Sequence, residues 1–437
     1  MPVWIEIKNK MQKLKFAIKV SLALTLAYII PMAMGWNQPN TAAMTVMLIA
    51  GAGGVSDSLG KGLLRVFGTV IGAILGMVLI ALFPQDRMLY LISMSLLLSL
   101  ITYLYYAYQG DSTAFMLSAV MIMVIFLQGP QNAFLYGMDR TYMTLFGIVV
   151  YTVVGVFLWP QKATKDTIND APKGRMFIWL EPEYFKATLQ LFVIFWASVA
   201  YWMYFNPPGG FLVVMLATLI GLLTTFSPLK PGILVILFSF GFVFATLSYV
   251  FILPNLVYGW QLALFIFSYT FIAFYLINQK LTIFFLLGMF VLGIGNEMNY
   301  NFAVFLNILL AFYMFLIILM FFHNFPFSSR PEHLFSLMRE RFFMHSLALE
   351  KLYLKERLSW FEKIFKIYHM QHLKTTTQKM QLWGSKVDTN YFHLNSSEKI
   401  MAFSRVCDAY RNRETSLRTC YNVMENINWQ NLKGKKF

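Results

Sequence analysis

The chain has 437 residues, of which 58% are apolar, 17% aromatic and only 13% charged, whereas a soluble domain carries about a quarter charged residues. Two blocks exclude a water-facing fold: residues 20–159 hold eight charged side chains, and residues 187–322 hold three, Lys230, Lys280 and Glu297. The formal charge of +15 lies mostly outside these blocks, with five Lys or Arg in 1–19, five in 160–186 and nineteen in 330–437, a distribution that reads as membrane topology rather than nucleic-acid binding.

A membrane-spanning helix needs about 20 mostly apolar residues. Breaks at proline, glycine and charge predict twelve of them. The first six cover approximately 16–35, 41–57, 63–83, 88–107, 112–128 and 142–159. The second six cover approximately 187–205, 211–227, 232–252, 258–277, 281–296 and 302–322. The spans at 41–57 and 281–296 are short. Five lysines lie in residues 1–19, ahead of the apolar run from Val20 to Gly35, which lacks a small-residue cleavage site and is expected to stay in the membrane. With the N-terminus inside, inward loops carry 14 basic residues against two outside, Arg87 and Arg140, so both termini are expected in the cytoplasm.

The two blocks resemble one another. A displacement of 169 residues places Phe16 on Phe185, Asn37 on Asn206, Pro39 on Pro208 and Lys61 on Lys230. An even number of spans per repeat makes the repeats parallel, with a substrate path expected between them. The expected fold class is an all-α integral membrane protein of two parallel six-helix pseudo-repeats with a C-terminal helical region. Its boundaries are 1–160 for the first repeat, 161–186 for a cytoplasmic linker, 187–326 for the second repeat and 327–437 for the tail.

In that tail, Leu334, Leu337, Met338, Phe342, Leu347 and Leu354 recur near helical spacing after Ser328, Ser329 and Pro331, and Asn395 with Glu398 resembles a capping box. A small helical bundle or coiled pair is expected, with a membrane-surface amphipathic helix as its rival. Cys407 and Cys420 suit reduced thiols rather than a disulfide framework.

No hydrolytic or metal constellation stands out. The histidines are scattered, none in an HxxxH pair, and Gly51-Ala52-Gly53-Gly54 lacks the GK[ST] ending of a phosphate-binding loop. Neither an enzyme nor an ATP-driven pump is expected, and no cofactor is implied.

The informative stretch is Gly51 to Gly72. Its glycines permit a helix break that aims backbone N–H groups and the hydroxyls of Ser56 and Ser58 at an anion, with Lys61 and Arg65 supplying charge. Alternatively, the glycines only allow close helix packing, and the basic pair anchors topology. The repeat places Thr224, Ser227, Pro228 and Lys230 at the equivalent inner end. The expected anion site is therefore Ser56, Ser58, Lys61, Arg65, Thr224 and Lys230. Charges inside a membrane are costly and mark function by default. Asp57 is the candidate for proton coupling and Arg140 for gating or substrate contact. Asp111 reads as a helix cap. Tyr103, Tyr105, Tyr106 and Trp202 can stack an aromatic guest or belong to an interfacial belt.

Arg65-x-x-Gly68-Thr69-x-x-Gly72 entering the third span, Phe83-Pro84 at its far end, Arg140 opening the sixth span and Trp159-Pro160 closing it resemble the fusaric-acid-resistance and aromatic-acid-exporter family. The resemblance covers residues 15–160 well and weakens to about 326. It implies a bacterial inner-membrane transporter that exports aromatic or other amphipathic organic acids beside a periplasmic membrane-fusion protein. Plant malate channels are similar, more distant relatives. Many relatives place a large soluble segment between the halves, whereas here the soluble part is C-terminal. The sequence leaves three other readings open: a passive organic-anion channel, a membrane scaffold, and a major-facilitator transporter. Gly53-x-x-x-Asp57-x-x-Gly60-Lys61 partly matches the loop signature of the last. The expected partners are a small organic anion and the lipid bilayer, with homo-oligomerisation open.

Overall fold

The computed structural model describes residues 2–51, 55–108, 110–159, 177, 179, 181–225, 231–277, 279–296, 301–322, 325–327, 330–355, 359–387, 396–412 and 414–425. Side chains are described for these except 2–9, 51, 55–61, 130, 231, 279–280, 396–397 and 425. Fifteen α-helices occur among the described residues. Those of the first repeat are α1 (Pro2–Ala33), α2 (Pro39–Gly51), α3 (Val55–Leu82), α4 (Arg87–Ala107) and α5 (Thr113–Phe157). The second repeat follows with α6 (Pro182–Phe205), α7 (Phe211–Thr224), α8 (Pro231–Leu247), α9 (Gly259–Tyr275), α10 (Gln279–Val291) and α11 (Phe302–Phe322). The tail contains α12 (Pro331–Tyr353), α13 (Trp360–Gly384), α14 (Ser396–Arg411) and α15 (Leu417–Glu425).

The protein is an all-α, multi-pass membrane protein. Among the described residues, seven helices are long and apolar enough to cross a bilayer and five are shorter and apolar, so each predicted span corresponds to one apolar helical segment. One expectation about boundaries needs correction. The predicted fifth and sixth spans are the two segments of α5, separated at Gly129 by φ 70° and ψ 172°, a conformation that glycine adopts without a Cβ clash. The second of these segments starts at Gln131 rather than near 142, so Arg140 lies well inside the helix and does not open it.

The chain divides into two compact units. One comprises Met1–Met176, Ala187–Leu223 and Pro231–Met320; the other comprises Phe177–Lys186, Thr224–Lys230 and Phe321–Phe437.

In the first unit the helices exchange partners between repeats. Helix α1 packs on α9 and α10, with Phe16 edge-on to Phe274 at 5.8 Å and Tyr28 stacked on Phe290 at 6.3 Å. Helices α4 and α5 in turn meet α6 and α7, where the Arg87 guanidinium lies 4.3 Å from the Trp202 ring centre and Phe126 lies 4.5 Å from Phe211. These contacts join the first apolar block to the second, α1 to α9 and α10, and α4 and α5 to α6 and α7. Helices α2 and α7, with 13 and 14 residues, are about 20 Å long and shorter than the hydrocarbon core.

The second unit is a helical bundle. Its core unites Leu334, Phe335, Met338 and Phe342 of α12 with Leu373, Met380 and Trp383 of α13, and with Phe403 and Cys407 of α14. Leu334, Met338 and Phe342 are thus core residues as their spacing suggests, whereas Leu347 and Leu354 are exposed. Ser359 and Glu362 form a capping box that starts α13, and Asn395 lies outside the described residues. Cys407 and Cys420 are free and buried.

Candidate anion site

The motif Arg65-x-x-Gly68-Thr69-x-x-Gly72 acts first through its glycines. A Cβ at Gly68 would lie 2.4 Å from the Ala114 carbonyl oxygen, and one at Gly72 would lie 2.6 Å from that of Ser118. Glycine at both positions lets the α3 backbone touch α5, in the small-residue packing that membrane helices use. The Ser118 hydroxyl fastens the contact by donating to the Gly68 carbonyl at 2.9 Å. Gly147 does the same between α5 and α2, where a Cβ would meet the Ala42 carbonyl oxygen at 2.5 Å. The close-packing reading thus holds for Gly68 and Gly72, while Arg65 and Thr69 of the same motif line a cavity.

That cavity, of about 30 Å³, is lined by Thr41 and Thr45 of α2, Arg65 and Thr69 of α3, and Arg140 and Thr144 of α5, with apolar neighbours such as Met44 and Met121. It has room for a small polar group, not for a whole aromatic acid. Arg65 is only 7% exposed. One of its guanidinium nitrogens donates a long hydrogen bond to the Thr45 carbonyl at 3.5 Å. Arg140 donates to the Tyr136 hydroxyl at 3.0 Å. Neither arginine forms an ion pair with an acid among the described residues. The nearby acids are engaged elsewhere. Asp111 accepts from the Thr113 amide at 3.0 Å at the start of α5, the capping role expected of it. Asp139 accepts from Asn37 at 2.9 Å. Thr45 and Thr144 donate their hydroxyl protons to backbone carbonyls one turn back. Two guanidinium groups are therefore among the donors that line the cavity, and a guanidinium fork is the donor that suits a carboxylate.

The structure thus joins Arg65 and Arg140, which the sequence assigned to different tasks. The side chains of Ser56, Asp57, Ser58 and Lys61, in the first turns of α3, lie outside the described residues, as does Lys230. Thr224 is buried at the end of α7. Trp202 and the tyrosines do not line this cavity: Trp202 packs under Arg87 and on Phe211, and Tyr106 donates to the Leu222 carbonyl at 2.8 Å.

Sequence reasoning missed a second polar cluster, inside the bundle unit. Glu181, at the end of the linker, accepts from His372 Nδ1 at 2.6 Å and from the Thr375 hydroxyl at 3.1 Å. Arg341 reaches Glu181 at 3.5 Å and Glu183 at 3.3 Å, and Lys379 reaches Glu183 at 2.5 Å. Burial opposes the charge on Glu181, but the His372 hydrogen bond and the charges of Lys379, His372 and Arg341 outweigh it and hold its pKa at about 2. Three of the six histidines, which their spacing left scattered, come together here. His345 Nδ1 lies 2.8 Å from His369 Nδ1, and the His345 ring stacks on His372 at 5.3 Å. Burial, together with the charges of His372 and His369, lowers the pKa of His345 to about 4. Among the described residues no group of three His, Cys, Asp or Glu is placed to hold a metal ion. The only sequence hint of this cluster was the His369-x-x-His372 spacing; His345 and Glu181 are far from it in sequence, so no local pattern could find them.

No curated protein and no solved structure matches the chain. Residues 13–173 match the model of the fusaric acid resistance protein family, which bears out the family resemblance of the first repeat and supports a membrane transport role.

Proposed function

We propose that the protein is a bacterial inner-membrane transporter that exports aromatic or other amphipathic organic acids, with the substrate carboxylate held between Arg65 and Arg140. The observation that carries this reading is that two arginines, neither in an ion pair among the described residues, line one cavity inside the family-matched segment. A cation as buried as Arg65 gains from an anion beside it, and a substrate carboxylate is the proposed one. The cavity takes the carboxylate head, and the rest of the substrate requires the surrounding helices to open. The positive-inside count supports cytoplasmic termini. Asp57 is the proposed proton acceptor, Ser56, Ser58, Lys61, Thr224 and Lys230 are proposed to guide the anion from the inner side, and a periplasmic membrane-fusion protein is the proposed partner.

A passive organic-anion channel is the second reading. It is favoured by the lining of the described cavity, which includes no carboxylate to carry a proton. Flux of hydroxybenzoate in proteoliposomes separates the two. An exporter accumulates the acid against its gradient when a pH difference is imposed, and Asp57→Asn abolishes that accumulation. A channel passes current set by voltage and anion gradient alone, and Asp57→Asn leaves it intact.

A further inference from the structure

The α12–α13 hairpin carries an apolar surface that neither the bundle core nor the anion site uses. In α13 the buried positions begin at His372. The twelve residues before it include Trp360 and Phe361, each 67% exposed, Ile364, Phe365 at 55% and Met370, and Leu354 beside the hairpin turn is 84% exposed. Trp360, Phe361, Ile364 and Phe365 recur at helical spacing and form one stripe. Lysines flank it: Lys363 and Lys366 on α13, and Lys351 and Lys355 on the α12 side. Lys366 lies over the Tyr353 ring at 4.1 Å, and Lys355 pairs with Glu362, the acid within the stripe.

We propose that this stripe is a membrane-surface anchor, with an anionic phospholipid leaflet as its occupant. A Trp/Phe face bordered by lysine is the composition that settles at the headgroup boundary and favours negative lipid. The same lysines oppose a second copy of the positively charged stripe on charge grounds. Only eight residues, 323–330, connect the last apolar helix to α12, so the tail is tethered near a bilayer. The anchor is independent of the anion site, and its test involves no transport.

The experiment uses the full-length chain with Phe361→Cys, spin-labelled, in nanodiscs of phosphatidylcholine alone or mixed with phosphatidylglycerol. The labelled native chain sets the background from Cys407 and Cys420. The expected result is that, in the phosphatidylglycerol discs only, collisions with oxygen rise and collisions with a nickel chelate fall. Lys363→Gln with Lys366→Gln should reverse this, weakening insertion about fivefold per lysine at low ionic strength, with helicity by circular dichroism unchanged. Equal chelate access in both lipids overturns the proposal. So does shielding in detergent that grows with protein concentration, which would assign the stripe to a second copy.

Discussion

The two repeats share a packing device and differ in what they enclose with it. In the first, Gly68 and Gly72 bring α3 against α5; in the second, a Cβ at Gly241 would lie 2.4 Å from the Phe284 carbonyl oxygen, and one at Gly288 would lie 2.6 Å from that of Gly241. Gly241 is the counterpart of Gly72 at the displacement of 169 residues. The counterparts of Arg65 and Thr69 are Leu234 and Phe238. Phe238 sits among Phe242, Phe284, Phe312 and Phe315, with ring centres 5.3 to 6.2 Å away. One repeat therefore holds a cationic cavity where its twin holds a packed aromatic cluster. The shared glycines set the helix contact, and the residues beside them decide whether cationic or aromatic side chains line it. Arg341 sharpens the contrast from the bundle: it is also largely buried, but Glu181 and Glu183 neutralise it, as a structural ion pair requires.

The strongest test of the shared device is to fill it. Gly72→Val and Gly241→Val each force a side chain into a facing backbone oxygen, which cannot rotate away. Overpacking costs about 1–3 kcal/mol or more, and both variants should lose the monodisperse peak in detergent size-exclusion chromatography. If only one variant does so, the repeats do not share the contact.

The next largest effect separates scaffold from site. Arg65→Leu with Thr69→Phe gives the first repeat the residues of the second. Removing charge-assisted hydrogen bonds worth about 1.5–3 kcal/mol each should lower transport by about 100-fold. The melting temperature should stay level or rise, because a buried cation has gone. A fall in stability with transport retained would reverse the roles assigned to the repeats.

The architecture was legible in the sequence because bilayer thickness imposes long apolar runs and positive charge stays outside them. Gly129 does break α5, as a glycine followed by proline suggests, but the helix resumes at once at Gln131, well before residue 142, where the sequence places the sixth span. The site was half legible. Arg65 stood in a motif, but Arg140 looked like the opening of a span, and only the earlier start of its helix carries it inward to the same cavity. The Glu181–His372 contact joins the linker to the tail across 191 residues, a separation beyond any periodic signal.

A smaller effect belongs to the bundle alone. Folded His345 has its pKa near 4 against 6.5 for a free histidine, so the unfolded chain binds more protons between these values, and stability falls as pH drops from 6.5 to 4. Folded Glu181 has its pKa near 2 against 4.5, so its contribution is full above 4.5 and is lost on further acidification towards 2. The opening free energy of residues 331–384, from hydrogen exchange corrected for the intrinsic rate at each pH, should fall between pH 7 and 5 by an amount on the order of 1 kcal/mol. Replacement of His345 by Phe should remove that dependence while leaving the cationic cavity's transport unchanged.

The most direct measurement of the central claim is a double-mutant cycle on hydroxybenzoate transport with Arg65→Gln, Arg140→Gln and both together. If the two guanidinium groups hold one carboxylate, each single change costs about 10- to 100-fold, and the double change costs clearly less than the two losses combined. Losses that simply add would place the arginines on separate anions, and a normal rate in either single variant would remove that arginine from the site.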